Sequence, residues 1–350
     1  MHSARSDAAE SITQVLVRTV TGLERLAAEE LAAAGHRVID VSKRQIVVEA
    51  TTATIITSAP RLADDLFVVR AAVADPGPTK QALAAAVRGL VVPGTRGPFA
   101  VSASFQGRRN FSRFDVEDLI GGRIDGGTYH SRRTGAVPPA ERVDWRVVLD
   151  GKTLWIAVRP FEVPLHRRVW RRRTVAGSLH PPVAAAMAGL AGIRAGLRVL
   201  DPFCGAGTLL LEAYAIEPGA NYLGIDRQPA ALAAARANSP SREVTWRTGD
   251  AARLSDPVDR ILTNPPWNVR VSLGDFAPYL REWRRVLRPG GRVVAILNQE
   301  QAARISVDAA WRVVEAYDVA VAGRHPRIVV AERSAHTYDP GPATAVAAPR

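Results

Sequence analysis

The sequence predicts an α/β fold: a mostly parallel, seven-stranded sheet covered by helices in the C-terminal half, preceded by two small α+β blocks. Three observations carry this prediction. From about Leu197 onward, short apolar runs alternate with helical stretches, the pattern of strands buried on both faces. Before that point the order of elements is strand, helix, two strands, helix, strand, and farther on Asp150-Gly151 separates two apolar runs as a two-residue hairpin turn. The length, 350 residues, allows two or three domains at roughly 100 to 200 residues each.

In chain order, Ile12 to Val20 reads as a strand, and Thr21 with Glu24 reads as a capping box opening a helix that ends near Gly35. Val38 to Val41 and Ile46 to Ala50 are two further strands, a helix covers part of Thr54 to Leu66, and Phe67 to Val73 closes a ferredoxin-like unit over residues 11–75. After the Pro/Gly break at Asp75 to Pro78 come a helix (Gln81 to Leu90), a strand (Phe99 to Phe105) and a helix near Asp115 to Ile124. The hairpin of Trp145 to Leu149 and Thr153 to Val158 completes a second block, 76–160. A linker, 161–180, leads to a domain over 181–335. Its strands are Leu197 to Leu200, Tyr222 to Ile225, Val244 to Thr248, Arg260 to Thr263 and Arg292 to Leu297, with Trp311 to Val321 and Arg327 to Arg333 as an antiparallel edge pair. The tails, Met1 to Glu10 and His336 to Arg350, are expected to be disordered.

Hydrophobic residues at 47 % against 23 % charged exclude an intrinsically disordered chain and provide for a packed core. No apolar run approaches the roughly 18 to 20 residues that span a bilayer, and Met1 to Ser11 is polar, so neither membrane insertion nor secretion is expected. The single cysteine, Cys204, rules out a disulfide framework and a cysteine-based zinc cluster; no metal is expected, and a reducing cytoplasm fits. The charge points to a polyanionic partner. There are 46 basic residues against 34 acidic, a net +12. Only Lys43, Lys80 and Lys152 are lysines.

The most informative stretch runs from Val199 to Glu212, an apolar strand passing through Asp201-Pro202-Phe203-Cys204-Gly205-Ala206-Gly207-Thr208 into a helix. Such a turn brings backbone N–H groups and a helix N-terminus up to a ligand. Leu210 stands where a dinucleotide fingerprint would have its third glycine, which lowers the dinucleotide reading. Asp226 follows the second strand, where an acid accepts hydrogen bonds from ribose hydroxyls. Asp250 follows the third and Asn264 the fourth. These are polar residues at four successive carboxyl ends, along the edge where open α/β sheets bind ligands.

Asn264-Pro265-Pro266-Trp267 is the chemical signal. Neither proline has an N–H, so the segment presents rigid acceptors, suited to the two N–H bonds of an exocyclic amine. Holding those hydrogens stabilises the positive charge that appears as the nitrogen is alkylated. Trp267 offers a stacking face for a base. Cys204 sits in the glycine turn and no second thiol exists, which disfavours methylation of a ring carbon through a cysteine adduct.

On these residues, 197–333 resembles the class I S-adenosylmethionine-dependent methyltransferases with a Rossmann-like fold, specifically those that methylate exocyclic amines and carry D/N/S-P-P-Y/F/W. The resemblance implies cofactor contact at Asp201, Phe203, Gly205, Gly207, Thr208, Asp226, Arg227, Asp250, Ala251 and Asn264, and catalysis at Asn264, Pro265, Pro266 and Trp267. It extends upstream. Thr19 to Gly35, Phe99 to Gly122 and the hairpin Trp145 to Val158 resemble the ferredoxin-like and THUMP modules of RNA-modifying enzymes. Leu165-His166-Arg167-Arg168-Val169-Trp170-Arg171 is similar to the Leu-His-x-Arg-Gly-Tyr-Arg linker of guanine-N2 methyltransferases, with Val169 and Trp170 in place of Gly-Tyr; Ser178-Leu179-His180-Pro181 fits the same group. The implied activity is methyl transfer to guanine N2 in tRNA, within the acceptor stem.

The arginines are read as phosphate contacts in two sets: Arg167, Arg168, Arg171, Arg172 and Arg173 in the linker, and Arg108, Arg109 and Arg113 in the second block. Other readings stay open: guanine N2 of ribosomal RNA, adenine N6 in RNA or DNA, a non-catalytic RNA binder and a nicotinamide dehydrogenase. The sequence leaves the oligomeric state undecided.

Overall fold

The computed structural model describes residues 11–94, 96–239, 244–267, 273–321 and 323–334, so the two tails expected to be disordered lie outside the described residues. The chain divides into two units after Arg167.

The first unit contains β1 (Ile12–Thr19), α1 (Glu24–Ala33), β2 (Arg37–Ser42), β3 (Gln45–Thr51), α2 (Thr52–Thr57), β4 (Ala63–Ala74), α3 (Lys80–Ala86), β5 (Pro98–Phe105), α4 (Arg113–Gly121), β6 (Thr128–Tyr129), β7 (Val143–Leu149) and β8 (Thr153–Val158). The expected capping box at Thr21 does not form: α1 starts behind Leu23 without a side-chain cap. The Glu24 carboxylate instead accepts from the N–H groups of Gly22 (2.7 Å) and Arg44 (2.9 Å), tying the helix start to the β2–β3 turn. Elsewhere hydroxyls do cap: Thr51, Thr79 and Ser112 open α2, α3 and α4, the last as a full capping box with Asp115.

The strand order is β2-β3-β1-β4-β8-β7-β5-β6. The two blocks read separately from the sequence therefore share one sheet, because β4 is long enough to pair with β1 at its start and with β8 beyond it, from Val68↔Val158 to Ala74↔Thr153. The Asp150-Gly151 hairpin forms as expected, with Gly151 at φ 91° and Asp150 Oδ1 accepting from the N–H groups of Lys152 and Thr153. Phe99, Val101, Trp145 and Val147 pack with Leu83, Val116 and Ile120 of the helices as one core. Leu16, Val47, Phe67, Val148 and Ala157 form a second cluster.

The second unit contains α5 (Pro181–Leu190), β9 (Arg198–Asp201), α6 (Thr208–Ile216), β10 (Asn221–Asp226), α7 (Pro229–Asn238), β11 (Val244–Thr248), β12 (Val258–Thr263), α8 (Ala277–Val286), β13 (Leu287–Leu297), α9 (Gln299–Val307), β14 (Trp311–Asp318) and β15 (Arg327–Arg333). The sheet order is β11-β10-β9-β12-β13-β15-β14. The first five strands are parallel, and β15 is antiparallel to both β13 and β14, which is the sheet the sequence predicts. Tyr279, Leu280, Trp283 and Val286 recur at helical spacing along α8 and are buried, with Trp283 packed against Phe276 edge-on at 5.5 Å. The chain order reverses between β9 and β12, and this is the point at which such sheets bind ligands, outside the carboxyl ends. Among the described residues, no helix is long and apolar enough to cross a membrane.

Candidate active site

β9 ends at Asp201, which is 1 % exposed and accepts from the Phe203 N–H at 3.0 Å. Burial pushes its carboxyl up to about 8; the Phe203 N–H opposes this and the Asp226 charge adds to it. The chain then turns through Gly205 (φ 52°) and Gly207 (φ 83°), left-handed conformations in which a side chain is strained. Gly207 serves a second purpose: a Cβ there would lie 2.5 Å from the Trp246 ring, and the same ring lies 2.5 Å from the position of a Cβ at Gly224. Trp246, which the sequence reading missed, thus requires both glycines. α6 begins behind Gly207 with no side-chain cap, so the site has an uncapped helix N-terminus of the kind that accommodates an anionic group.

Asp226 closes this turn. Its Oδ2 accepts from the Gly205 N–H at 3.0 Å and its Oδ1 from the Gln228 N–H at 2.8 Å. At the next strand end Asp250 accepts from the Ala252 N–H (2.9 Å) and pairs with Arg227 at 2.8 Å; these bonds, the backbone one first, hold its carboxyl below the usual range. Ala251 beside it is buried. Phe203 rests on Tyr279 at 5.5 Å between centroids, and Thr208 is buried at the first position of α6. The structure therefore brings the sequence-predicted residues 201–208, Asp226, Arg227, Asp250 and Ala251 to one edge of the sheet. Cys204 is buried there, and burial raises its thiol far above the range in which a thiolate nucleophile forms.

Asn264 to Trp267 follow β12 directly. They are held by groups on β13 and α9. The Pro266 carbonyl accepts from Gln301 Nε2 at 2.8 Å, the Trp267 carbonyl from Asn298 Nδ2 at 3.2 Å, and the Trp267 indole N–H donates to the Ile296 carbonyl at 3.1 Å. Asn298 and Gln301, which the sequence reading missed, also form the capping box of α9; the Asn-x-x-Gln spacing after an apolar strand is the signal that could have found them. The Asn264 amide donates to the Gly177 carbonyl at 3.1 Å. Among the described residues no donor reaches Asn264 Oδ1.

The arginines divide. Arg168 is not available to phosphate: its guanidinium bonds Glu212 at 2.7 Å, with the two side chains 12 % and 0 % exposed. Arg109 likewise binds both Asp75 oxygens at 2.6 and 2.7 Å and the Gly77 carbonyl at 2.6 Å, buried within the first unit. Both corrections have one cause: a guanidinium removed from water requires a carboxylate, and each found one far away in sequence. Arg171 is half-buried, its Nε unpartnered among the described residues, and burial lowers its pKa. Arg167, Arg172 and Arg173 are exposed, as are Arg108 and Arg113 in the first unit, Arg113 lying over the Phe114 ring at 4.8 Å. Asn238, another missed residue and 2 % exposed, explains how the linker is held: its Oδ1 accepts from the N–H groups of Arg172 and Arg173, and its Nδ2 donates to the carbonyls of Arg173 and Ala206.

Comparison with known proteins matches this arrangement. Residues 168–327 match the family model UPF0020, "RMKL-like, methyltransferase domain". A tRNA (guanine(6)-N2)-methyltransferase of Thermus thermophilus is 32 % identical over 254 residues, covering 68 % of this chain and 73 % of that protein. The U6 snRNA (guanine-N(2))-methyltransferase THUMPD2 of Mus musculus is 36 % identical over 148 residues, 39 % of this chain and 28 % of that protein. The crystal structure of TrmN from Thermus thermophilus superposes with a TM-score of 0.74 at 28 % identity, covering 93 % of this chain and all of that one. With a class I methyltransferase sheet, a glycine turn after its first strand and Asn-Pro-Pro-Trp after its fourth, the chain belongs to the UPF0020 family of RMKL-like methyltransferases.

Proposed function

We propose that this enzyme transfers a methyl group from S-adenosylmethionine to the exocyclic N2 of a guanine in tRNA, within the acceptor stem, in the cytoplasm. The observation that carries the reading is Asn264: it follows the strand beside β9, across the switch point from the glycine turn, with its amide N–H held by a carbonyl and its Oδ1 open among the described residues. The relatives whose names specify guanine N2 of RNA support the base.

The residues at the strand ends fit that cofactor. Gly205 and Gly207 keep side chains out of the turn, Asp226 stands where a ribose diol would donate, Asp250 and Ala251 stand where adenine would lie, and α6 offers uncapped N–H groups to a carboxylate. S-adenosylmethionine, when bound, supplies a methyl group made electrophilic by its sulfonium. The chain's own residues orient and stabilise. Asn264 Oδ1, with the Pro265 carbonyl, accepts the hydrogens of the target amine and favours the positive charge that builds on its nitrogen. Trp267, fixed by its indole N–H, provides the face on which a flipped base stacks. Arg167, Arg172 and Arg173, with Arg108 and Arg113 of the THUMP-like unit, bind the phosphate backbone.

Incubation with labelled S-adenosylmethionine and, in parallel, unmodified tRNA or ribosomal RNA, followed by digestion and mass spectrometry of the nucleosides, tests this. Label in N2-methylguanosine is the expected result. Label in N6-methyladenosine would overturn the base, and label in ribosomal RNA alone would overturn the substrate.

A further inference from the structure

Just before α5 begins, Gly177 reaches Asn264 from the linker, and the chain there is shaped for that meeting. Val175 N–H donates to Ser178 Oγ at 2.9 Å, and Ser178 N–H returns to the Val175 carbonyl at 3.0 Å. The turn between them places Gly177 at φ 81°. Upstream the same segment is pinned by Asn238, whose Nδ2 also holds the Ala206 carbonyl of the glycine turn. Val175 Cγ2 lies 3.6 Å from the point where a Cβ on Gly205 would sit. The segment 172–178 therefore lies between the glycine turn and the amine-binding asparagine, tied to both.

A carbonyl oxygen only accepts. The group that Asn264 turns toward Gly177 is therefore Nδ2, and Oδ1 is left for the reaction; without that hydrogen bond the two ends of the amide are nearly isosteric and either one can face the target. We propose that the Val175–Ser178 turn is a positioning element of the active site, in which the Gly177 carbonyl sets the amide of Asn264 with its oxygen toward the target amine. The inference rests on the methyltransferase reading above. It also gives a reason for asparagine in place of the aspartate that the motif allows: an ionised carboxylate at 264 would face the Gly177 carbonyl oxygen and be repelled.

Two substitutions test this in the full chain. Asn264→Asp is expected to lower kcat about 100-fold at pH 8 and to regain activity as pH falls, because the protonated acid can again donate to Gly177; the wild type shows no such rise. Gly177→Ala adds a Cβ with nothing within 4 Å, so it probes the left-handed backbone alone. It should lower kcat about tenfold while KM for tRNA and cofactor affinity stay within about twofold, and Gly177→Asn, which tolerates that backbone, should restore most of the loss. Asn264→Asp active at pH 8 with a flat profile, or inactive throughout, would overturn the proposal, as would wild-type kcat in Gly177→Ala. A wild-type protein that methylates no amine fails differently, removing the functional reading itself.

Discussion

The glycine turn after β9 and the arginine-rich segment before α5 contribute to the same site, yet the sequence speaks of them very differently. In the turn the backbone carries the information: Gly205 and Gly207 take left-handed conformations that strain most other residues, and the order strand, turn, helix is local. In the arginine segment the partners are remote: the Arg168 guanidinium meets Glu212, 44 residues away, and the backbone N–H groups of Arg172 and Arg173 meet Asn238, 66 and 65 residues away. Glycine announces its geometry by type. Arginine does not, because the same guanidinium serves a phosphate in water or a buried carboxylate, and only the fold decides.

The strongest way to break this comparison is through the residue that both regions serve. Asn264→Ala removes the proposed acceptor for the target amine and should lower kcat by about 10² to 10³, with tRNA affinity measured by filter binding unchanged. Retention of kcat within about threefold would detach Asn264 from the chemistry and leave the turn and the segment without a common task.

Next come the arginines that divide the segment. Arg168→Ala removes the guanidinium bonded to the fully buried Glu212 carboxylate, which costs about 3 to 5 kcal/mol, and should depress Tm sharply without altering the salt dependence of tRNA binding. Arg172→Ala with Arg173→Ala should do the reverse. Tm is unchanged, because only their backbone N–H groups are bonded to Asn238, while the salt slope of tRNA binding falls by about 0.7 to 0.9 for each phosphate no longer neutralised. If Arg168→Ala leaves Tm intact and flattens the salt slope, the segment is an RNA strap throughout and its arginines do not divide.

How far the site was legible follows the same line. The parallel sheet, its antiparallel edge and the four strand-end residues were readable because apolar runs, glycines and prolines act within a few residues of themselves. The first unit's single sheet was not: β4 runs 12 residues, Ala63–Ala74, where the sequence reads a strand only over Phe67 to Val73, and nothing in its pattern says that its far half pairs with β8 across the Pro/Gly break. Trp246 was missed for the same reason. Its ring is accommodated by two glycines on other elements, and a tryptophan within a strand looks like any core residue. Glu24 shows the converse: the spacing to Thr21 suggested a local cap, but a carboxylate two residues from Gly22 met that N–H and the Arg44 N–H first.

The smallest expected effect lies inside the legible region, at a property its residue types do not reveal. Asp201 was recognisable from its place at the strand end, but not its proton, which depends on complete burial. In the folded chain it stays protonated up to about pH 8, whereas an unfolded chain releases that proton near pH ~4. Between those values the folded state binds more protons than the unfolded one, so this residue's contribution to stability declines as pH rises across the window. Asp201→Asn keeps the acceptor for the Phe203 N–H and abolishes the titration. Thermal melts without cofactor, from about pH 5 to about pH 8, should therefore show the wild type losing Tm relative to the variant by a few degrees as pH increases. Parallel curves would mean that Asp201 is ionised in the folded chain, and that the strand end is better hydrated than its burial indicates.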